Sequence, residues 1–315
     1  IIPFVIGLAI GVHVLHYSLL TSMLLACIFS SHTLVSYPIV GRYGVEKHES
    51  VVYSIVATAI ASFAALLILA GIVGAQEHET GVWFWIGFVL KFVLYGLFVI
   101  LCFPYIGRKF FRRYNDNVMQ YIFVLAMVFF SAALAELAGL EGLLGAFLAG
   151  LVLNRLIPKV SPLMNRIEFV GNALFIPYFL IGVGMIINIE LLFTGAETLW
   201  VVLIMVLTAT ITKWLPAFTM QKLFGMNGSS RRMMFGLTNA HAAGALAMVM
   251  IGTQIEIAPG EYLMSDVVLN GTVMVILISC IISSLATEQA SRSIAMSDAA
   301  LEENRGLTHG RCLIT

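Results

Sequence analysis

The chain has 315 residues, 60% of them hydrophobic and 11% charged, and its 17 Lys and Arg balance 17 Asp and Glu to a formal net charge of zero. An ordinary soluble domain is about a quarter charged, and a single core could not take in this much apolar surface. A soluble globular domain is therefore excluded, and the placing of the basic residues argues against a nucleic-acid partner.

In chain order, ten apolar segments stand out: 1–15, 18–40, 50–73, 82–107, 119–137, 141–154, 168–188, 198–221, 232–254 and 265–287. About 20 apolar residues cross a bilayer as a helix, and only helices or closed barrels satisfy their backbone in lipid. Runs this continuous predict helices. Of the 17 Lys and Arg, all but Lys91 and Lys213 lie in loops or tails on one side. They follow segments two (Arg42, Lys47), four (Arg108, Lys109, Arg112, Arg113), six (Arg155, Lys159, Arg166), eight (Lys222, Arg231, Arg232) and ten (Arg292, Arg305, Arg311). The opposite loops carry Glu77, Glu79, Glu190, Glu197, Glu256 and Glu261 without a Lys or Arg. Cytoplasmic loops collect Lys and Arg. The expectation is an all-α polytopic protein of the cell membrane, with ten transmembrane helices and a cytoplasmic C-terminus.

The chain opens at Ile1, inside an apolar run with no basic leader, which reads as a piece of a longer protein rather than a signal peptide. Residues 288–315 form a polar tail with Glu302, Glu303 and Arg305. Cys27, Cys102, Cys280 and Cys312 lack metal-ligand spacing, so neither a disulfide nor a bound metal is expected. No cofactor motif is present.

Two segments carry polar clusters near mid-depth. Segment two reads Ser30-Ser31-His32-Thr33-Leu34-Val35-Ser36-Tyr37-Pro38, and segment nine reads Gly236-Leu237-Thr238-Asn239-Ala240-His241-Ala242-Ala243-Gly244. Pro38 disturbs the turn before it, and Gly236 and Gly244 weaken the helix around them. Segments two and nine run in opposite directions, each in the middle of a triplet, 1–3 and 8–10. That pattern predicts inverted repeats with interrupted helices and a site at the midplane. The plainer reading of either cluster alone is hydroxyls bonded back to their own helix and a histidine that packs.

Lys213, on segment eight, is a functional candidate because an intramembrane lysine is costly, although it lies close enough to the cytoplasmic end to snorkel. Lys91 is about nine residues into segment four, roughly 13 Å at helical rise, and is the weaker candidate, with helix pairing or interface anchoring as the other reading. Glu136 and Asp266 are expected to be wet. Gly145, Ala149 and Gly150 read as close helix packing. Pro177, Gly182 and Gly184 suggest a bend in segment seven.

With these residues in hand, the chain resembles the monovalent cation/proton antiporter family, in the branch of bacterial sodium/proton and potassium/proton exchangers. The resemblance rests on Ser31-His32-Thr33-Leu34 with Tyr37-Pro38-Ile39, and on Ala135 to Leu140 with Leu144 to Gly150. It extends to Pro177-Tyr178-Phe179 with Gly182 to Met185, and to Lys213 after its aliphatic run. It implies a core transport domain with two crossed, interrupted helices, segments two and nine, and a panel of helices for homodimerisation. The expected domains are 1–73 (first half of the core), 74–167 (panel), 168–287 (linking helix and second half of the core) and 288–315 (cytoplasmic tail). Three earlier spans usual in the family are absent here. Sodium or potassium and the proton are the implied substrates, bound transiently by alternating access, with the lipid bilayer as surroundings and no enzymatic activity.

In such antiporters an acidic residue on the helix corresponding to segment three takes the ion and the proton in turn, and a lysine corresponding to Lys213 pairs with it. Here that position falls at Ser62, preceded by Ala61, and segments two, three, eight and nine have no Asp or Glu in their interiors. A hydroxyl can coordinate a cation but cannot cycle a proton near neutral pH. The expected crossing region is Ser30, Ser31, His32, Thr33, Ala61, Ser62, Thr238, Asn239 and His241, with Lys213 as charge partner and His32, His241 or Lys213 as proton carrier. Two other readings stay open: a transport-inactive or regulatory relative, and an antiporter-fold carrier for an anionic solute.

Overall fold

The computed structural model describes the chain except for residues 78–81, 141, 159, 176, 179–180, 182–184, 186–195, 259 and 313–315, and without several side chains, among them those of 301–312. The expected bend at Gly182 and Gly184, the loop residues Glu79, Glu190 and Lys159, and the side chains of Glu77, Glu197, Glu302, Glu303, Arg305 and Arg311 lie outside what is described.

The helices are α1 (Ile2–His13), α2 (Leu19–Ser30), α3 (Tyr37–Tyr43), α4 (Glu49–Glu77), α5 (Val82–Arg113), α6 (Asn117–Leu137), α7 (Gly142–Asn154), α8 (Pro162–Val170), α9 (Ala196–Phe224), α10 (Gly228–Asn239), α11 (Ala243–Gly252) and α12 (Asp266–Cys312). A π-helical turn, Gly171–Phe175, follows α8. A short antiparallel pair, β1 (Glu256–Ala258) with β2 (Glu261–Tyr262), joins α11 to α12 and turns at Gly260, whose φ of 78° suits glycine. Six stretches among the described residues are long and apolar enough to cross a membrane: Glu49–Ala75, Trp85–Arg113, Asn117–Leu137, Leu199–Phe224, Gly228–Gly252 and Asp266–Ser297. Ile2–His13, Leu19–Ser30 and Gly142–Asn154 are apolar but shorter. The protein is thus an all-α membrane protein.

The chain divides into two compact units, Ile1–Ala65 with Asn188–Thr315, and Leu66–Ile187. In the first, helices approach closely where side chains are small. Gly7 and Gly11 stand one turn apart on α1, and a Cβ at Gly11 would lie 2.7 Å from Ser22 Cβ on α2, so this Gly-x-x-x-Gly step lets the two helices meet. Gly271 of α12 admits Met205 of α9 in the same way. An apolar cluster of Val40, Val45, Val51, Met233, Leu237, Ala290 and Ile294 packs α3, the start of α4, α10 and α12 together.

In the second unit, α6 begins on Asp116, whose carboxylate accepts from Val118 N at 3.0 Å, and α8 begins on Ser161, which accepts from Met164 N at 3.1 Å; both are helix N-caps. The Tyr95 hydroxyl donates to Ser131 O at 2.9 Å, and Ser131 Oγ donates to Gly145 O at 2.8 Å. A Cβ at Gly145 would lie 2.6 Å from Ser131 O and 2.7 Å from Ala135 Cβ. Gly145 therefore serves close packing of α7 on α6, whereas Gly150 is exposed with open space at its Cβ position. Lys91 and Glu136 are both exposed, and Asp266 is exposed at the first turn of α12.

Candidate functional site

Both polar clusters interrupt their helices. Helix α2 stops at Ser30, and Ser31 continues in extended backbone (φ −68°, ψ 146°); helix α10 stops at Asn239, and Ala240 is likewise extended (φ −69°, ψ 125°). The chain resumes as α3 and α11. Pro38 sits in the first turn of α3, where its missing N–H costs nothing, so it starts a helix rather than kinking one. The role expected for Gly236 also changes. It lies inside α10, and a Cβ there would stand 2.7 Å from Thr287 N, so it gives α12 access to α10 instead of loosening the helix. Gly244 has open space about its Cβ position.

The two interruptions touch: Thr33 N donates to Ala240 O at 2.9 Å. A helix ends with four carbonyls that need outside donors, and those of α2 can be followed one by one. Cys27 O takes Ser31 N at 2.9 Å, and Ile28 O takes Ser31 Oγ at 3.2 Å. Phe29 O faces His241 Nε2 at 3.3 Å, and Ser30 O takes the Lys213 ammonium at 2.9 Å and faces His32 Nδ1 at 3.0 Å. The lysine also reaches Ser31 O at 3.5 Å and His32 Nδ1 at 3.1 Å. Lys213 is only 2% exposed. It does not snorkel; it turns inward and places its charge at the negative end of α2, where a cation is favoured.

His32 and His241 are buried, and His241 is held by Ser279 Oγ, which accepts from His241 N at 3.1 Å, and by Cys280 Sγ on His241 O at 3.3 Å. Asn239 donates from Nδ2 to Ser279 O at 3.2 Å. Ser62 Oγ donates to His32 O at 3.4 Å, and Ala61 beside it is half-buried. The hydroxyls of Ser30 and Thr238 donate to Ala26 O (2.8 Å) and Met234 O (2.7 Å) in their own helices. A hydroxyl that donates keeps its lone pairs, so these oxygens can still face an ion. Thr33 takes part through its backbone N–H rather than its side chain. Lys91 lies in the other unit.

Sequence reasoning overlooked α12. Ser279, Ser283, Thr287 and Ser291 fall every four residues on one face, all buried. Ser283 Oγ donates to Gly236 O at 2.6 Å and meets Ser36 Oγ at 2.9 Å; Thr287 Oγ1 donates to Ser36 Oγ at 3.0 Å. This hydroxyl stripe ties α12 to both interrupted helices, and its four-residue period inside an apolar run was the available signal. Among the described residues the buried polar and charged group contains no Asp or Glu, while His32 Nε2, Asn239 Oδ1 and His241 Nδ1 are buried without partners.

Two interrupted helices that meet beside a buried lysine set this membrane protein apart from a plain helical bundle. The sodium/hydrogen exchanger transmembrane family model matches residues 1–290, and the chain belongs to that family. It is 34% identical over 298 residues to the Na(+)/H(+) antiporter NhaS5 of Synechocystis sp., which covers 93% of this chain and 42% of that protein. It is 26% identical over 277 residues to probable Na(+)/H(+) antiporter 3 of Methanocaldococcus jannaschii, covering 86% of this chain and 70% of the relative. The Na(+)/H(+) antiporter of Enterococcus hirae is 25% identical over 213 residues, 65% of this chain and 52% of the relative. The chain thus spans about two fifths of the length of the Synechocystis protein.

Proposed function

We propose that this protein exchanges a monovalent cation, sodium or potassium, for a proton across the cell membrane by alternating access. The observation that carries the reading is Lys213, whose ammonium lies 2.9 Å from Ser30 O at the end of α2. Backbone oxygens at a broken helix are the ligands that a dehydrated alkali cation requires. An ammonium and a cation compete for the same oxygens. When the lysine gives up its proton, Ser30 O and Ser31 O become free for the cation, with Ser62 Oγ nearby; when the cation leaves, the proton returns. His32, at 3.1 Å from the lysine nitrogen, passes that proton in this reading, and His241, which meets Phe29 O at 3.3 Å, is the other candidate carrier.

In this reading the chain crosses the membrane ten times, with its C-terminus in the cytoplasm. The triplets around α2–α3 and α10–α11 are inverted repeats, residues 74–167 form a dimerisation panel, and the working unit is a homodimer. Family membership and the relatives' names support the exchange.

A second reading, a transport-inactive or regulatory relative, is favoured by one observation: the absence of Asp and Glu among the buried polar residues described. An anionic cargo is the third, since the buried charge is positive. Proteoliposomes of the full-length protein bearing a pH gradient separate them. Dissipation on addition of sodium, potassium or lithium supports exchange. A gradient that persists with every cation removes the first reading, and dependence on an organic anion instead selects the third.

A further inference from the structure

The apolar stretch Trp85–Arg113 of α5 has 29 residues, about 43 Å at helical rise, whereas the hydrocarbon of a bilayer is about 30 Å thick. Counted from Trp85, the roughly 20 residues that cross hydrocarbon end at Pro104, so the rest of the helix reaches the headgroup layer. That end carries Arg108, Lys109, Arg112 and Arg113, all exposed. Tyr105 is exposed just before them, at the level where amphipathic aromatic rings settle.

Residues three or four apart share a helix face. Leu90, Leu94, Leu97 and Leu101 form such a row, each more than half exposed. The same face continues into Tyr105, Arg108 and Arg112. With Lys109 and Arg113, these last three line an open recess of about 390 Å³ that no Asp or Glu borders. Arg113 has its guanidinium carbon 5.9 Å from the centre of the Tyr114 ring, an aromatic neighbour and not a carboxylate. Basic residues in a loop set orientation. What α5 adds is register: an exposed apolar track leads directly to four uncompensated cations.

We propose that this face of α5 binds one anionic phospholipid, its acyl chains along Leu94, Leu97 and Leu101 and its phosphate between Arg108 and Arg112. Those two arginines stand one turn apart, about 6 Å along the axis, and guanidinium forks grip phosphate oxygens in pairs. The Tyr105 hydroxyl is a donor for the remaining headgroup oxygens. A second copy of the chain fits this face less well. Related by a twofold axis along the membrane normal, it would bring the same patch and set four cations against four. The lipid site does not rest on the exchange reading.

The test is native mass spectrometry of the full-length protein in neutral detergent, with phosphatidylglycerol and phosphatidylcholine of the same acyl chains added in equal amounts. The wild type is expected to retain the anionic lipid about tenfold or more over the zwitterionic one. Each basic residue beside a lipid headgroup changes affinity about fivefold, so Arg108→Gln with Arg112→Gln should weaken phosphatidylglycerol binding about 25-fold. Arg42→Gln with Lys47→Gln removes two exposed charges at the end of α3 and just after it, and should leave that binding unchanged. Millimolar inorganic phosphate should not displace the lipid; displacement would make the recess a site for free anions and overturn the proposal. Equal retention of the two lipids, or equal loss in the two double variants, also overturns it. So does phosphatidylglycerol held by monomers and missing from dimers in the same spectrum, which gives the face to a second copy.

Discussion

Gly236→Ala separates two roles for one glycine by the sign of its effect. If Gly236 served only to loosen α10, alanine would stabilise the helix by about 0.8–1 kcal/mol. The structure gives the opposite sign. An added Cβ would lie 2.7 Å from Thr287 N and 3.1 Å from Thr287 Cα, and would also press on the Thr287 hydroxyl. The obstacle is backbone, so α12 must move away, and overpacking of this kind costs about 1–3 kcal/mol. The movement also stretches the bonds from Ser283 Oγ to Gly236 O and from Thr287 Oγ1 to Ser36 Oγ, each worth about 1 kcal/mol. After the gain in propensity, a net loss of about 2–4 kcal/mol is expected. Gly244→Ala is the control, because its added Cβ meets nothing within 4 Å; it should be neutral or slightly stabilising. Unfolding of purified protein in mixed detergent micelles, followed by circular dichroism against denaturant, reads both. A Gly236→Ala variant as stable as Gly244→Ala would refute the packing argument.

Lys213→Met should abolish cation-driven proton flux while changing stability little, because the three hydrogen bonds of the ammonium are lost together with the cost of burying it; flux and unfolding on one preparation check it. Ser131→Val removes the hydroxyl that bridges Tyr95 and Gly145 and orphans a buried carbonyl, with an expected loss of about 2–3 kcal/mol in the same unfolding assay. Gly11→Val should push α1 off α2, since its Cβ would stand 3.0 Å from Ser22 Cα; a loss of about 1–3 kcal/mol is expected.

The membrane character, the two helix interruptions and the presence of Lys213 inside an apolar segment are legible in the sequence, the first as long apolar runs and the others as local departures from them. Ser30-Ser31-His32-Thr33 and Thr238-Asn239-Ala240-His241 mark their interruptions directly. What was not legible depends on long-range contact. Nothing local says that Gly236 faces Thr287, that Lys213 turns inward to Ser30 O rather than outward to the interface, or that Ser283 joins Ser36 to Gly236. Ser279, Ser283, Thr287 and Ser291 recur every four residues, but serine is tolerated in membrane helices by bonding back to its own backbone, so the stripe does not announce its partners. Pro38 marks the disturbed turn before it, but the sequence alone does not say that it lies in the first turn of the next helix.

The central claim is that the Lys213 ammonium and a monovalent cation compete for the carbonyls at the end of α2. The most direct test adds sodium, then potassium, to detergent-purified full-length protein in weakly buffered solution and measures the protons released, since a cation that displaces a proton acidifies the medium. The account predicts release of about one proton per chain from the wild type and none from Lys213→Met. Sodium binding without proton release, or equal release from the variant, would contradict it.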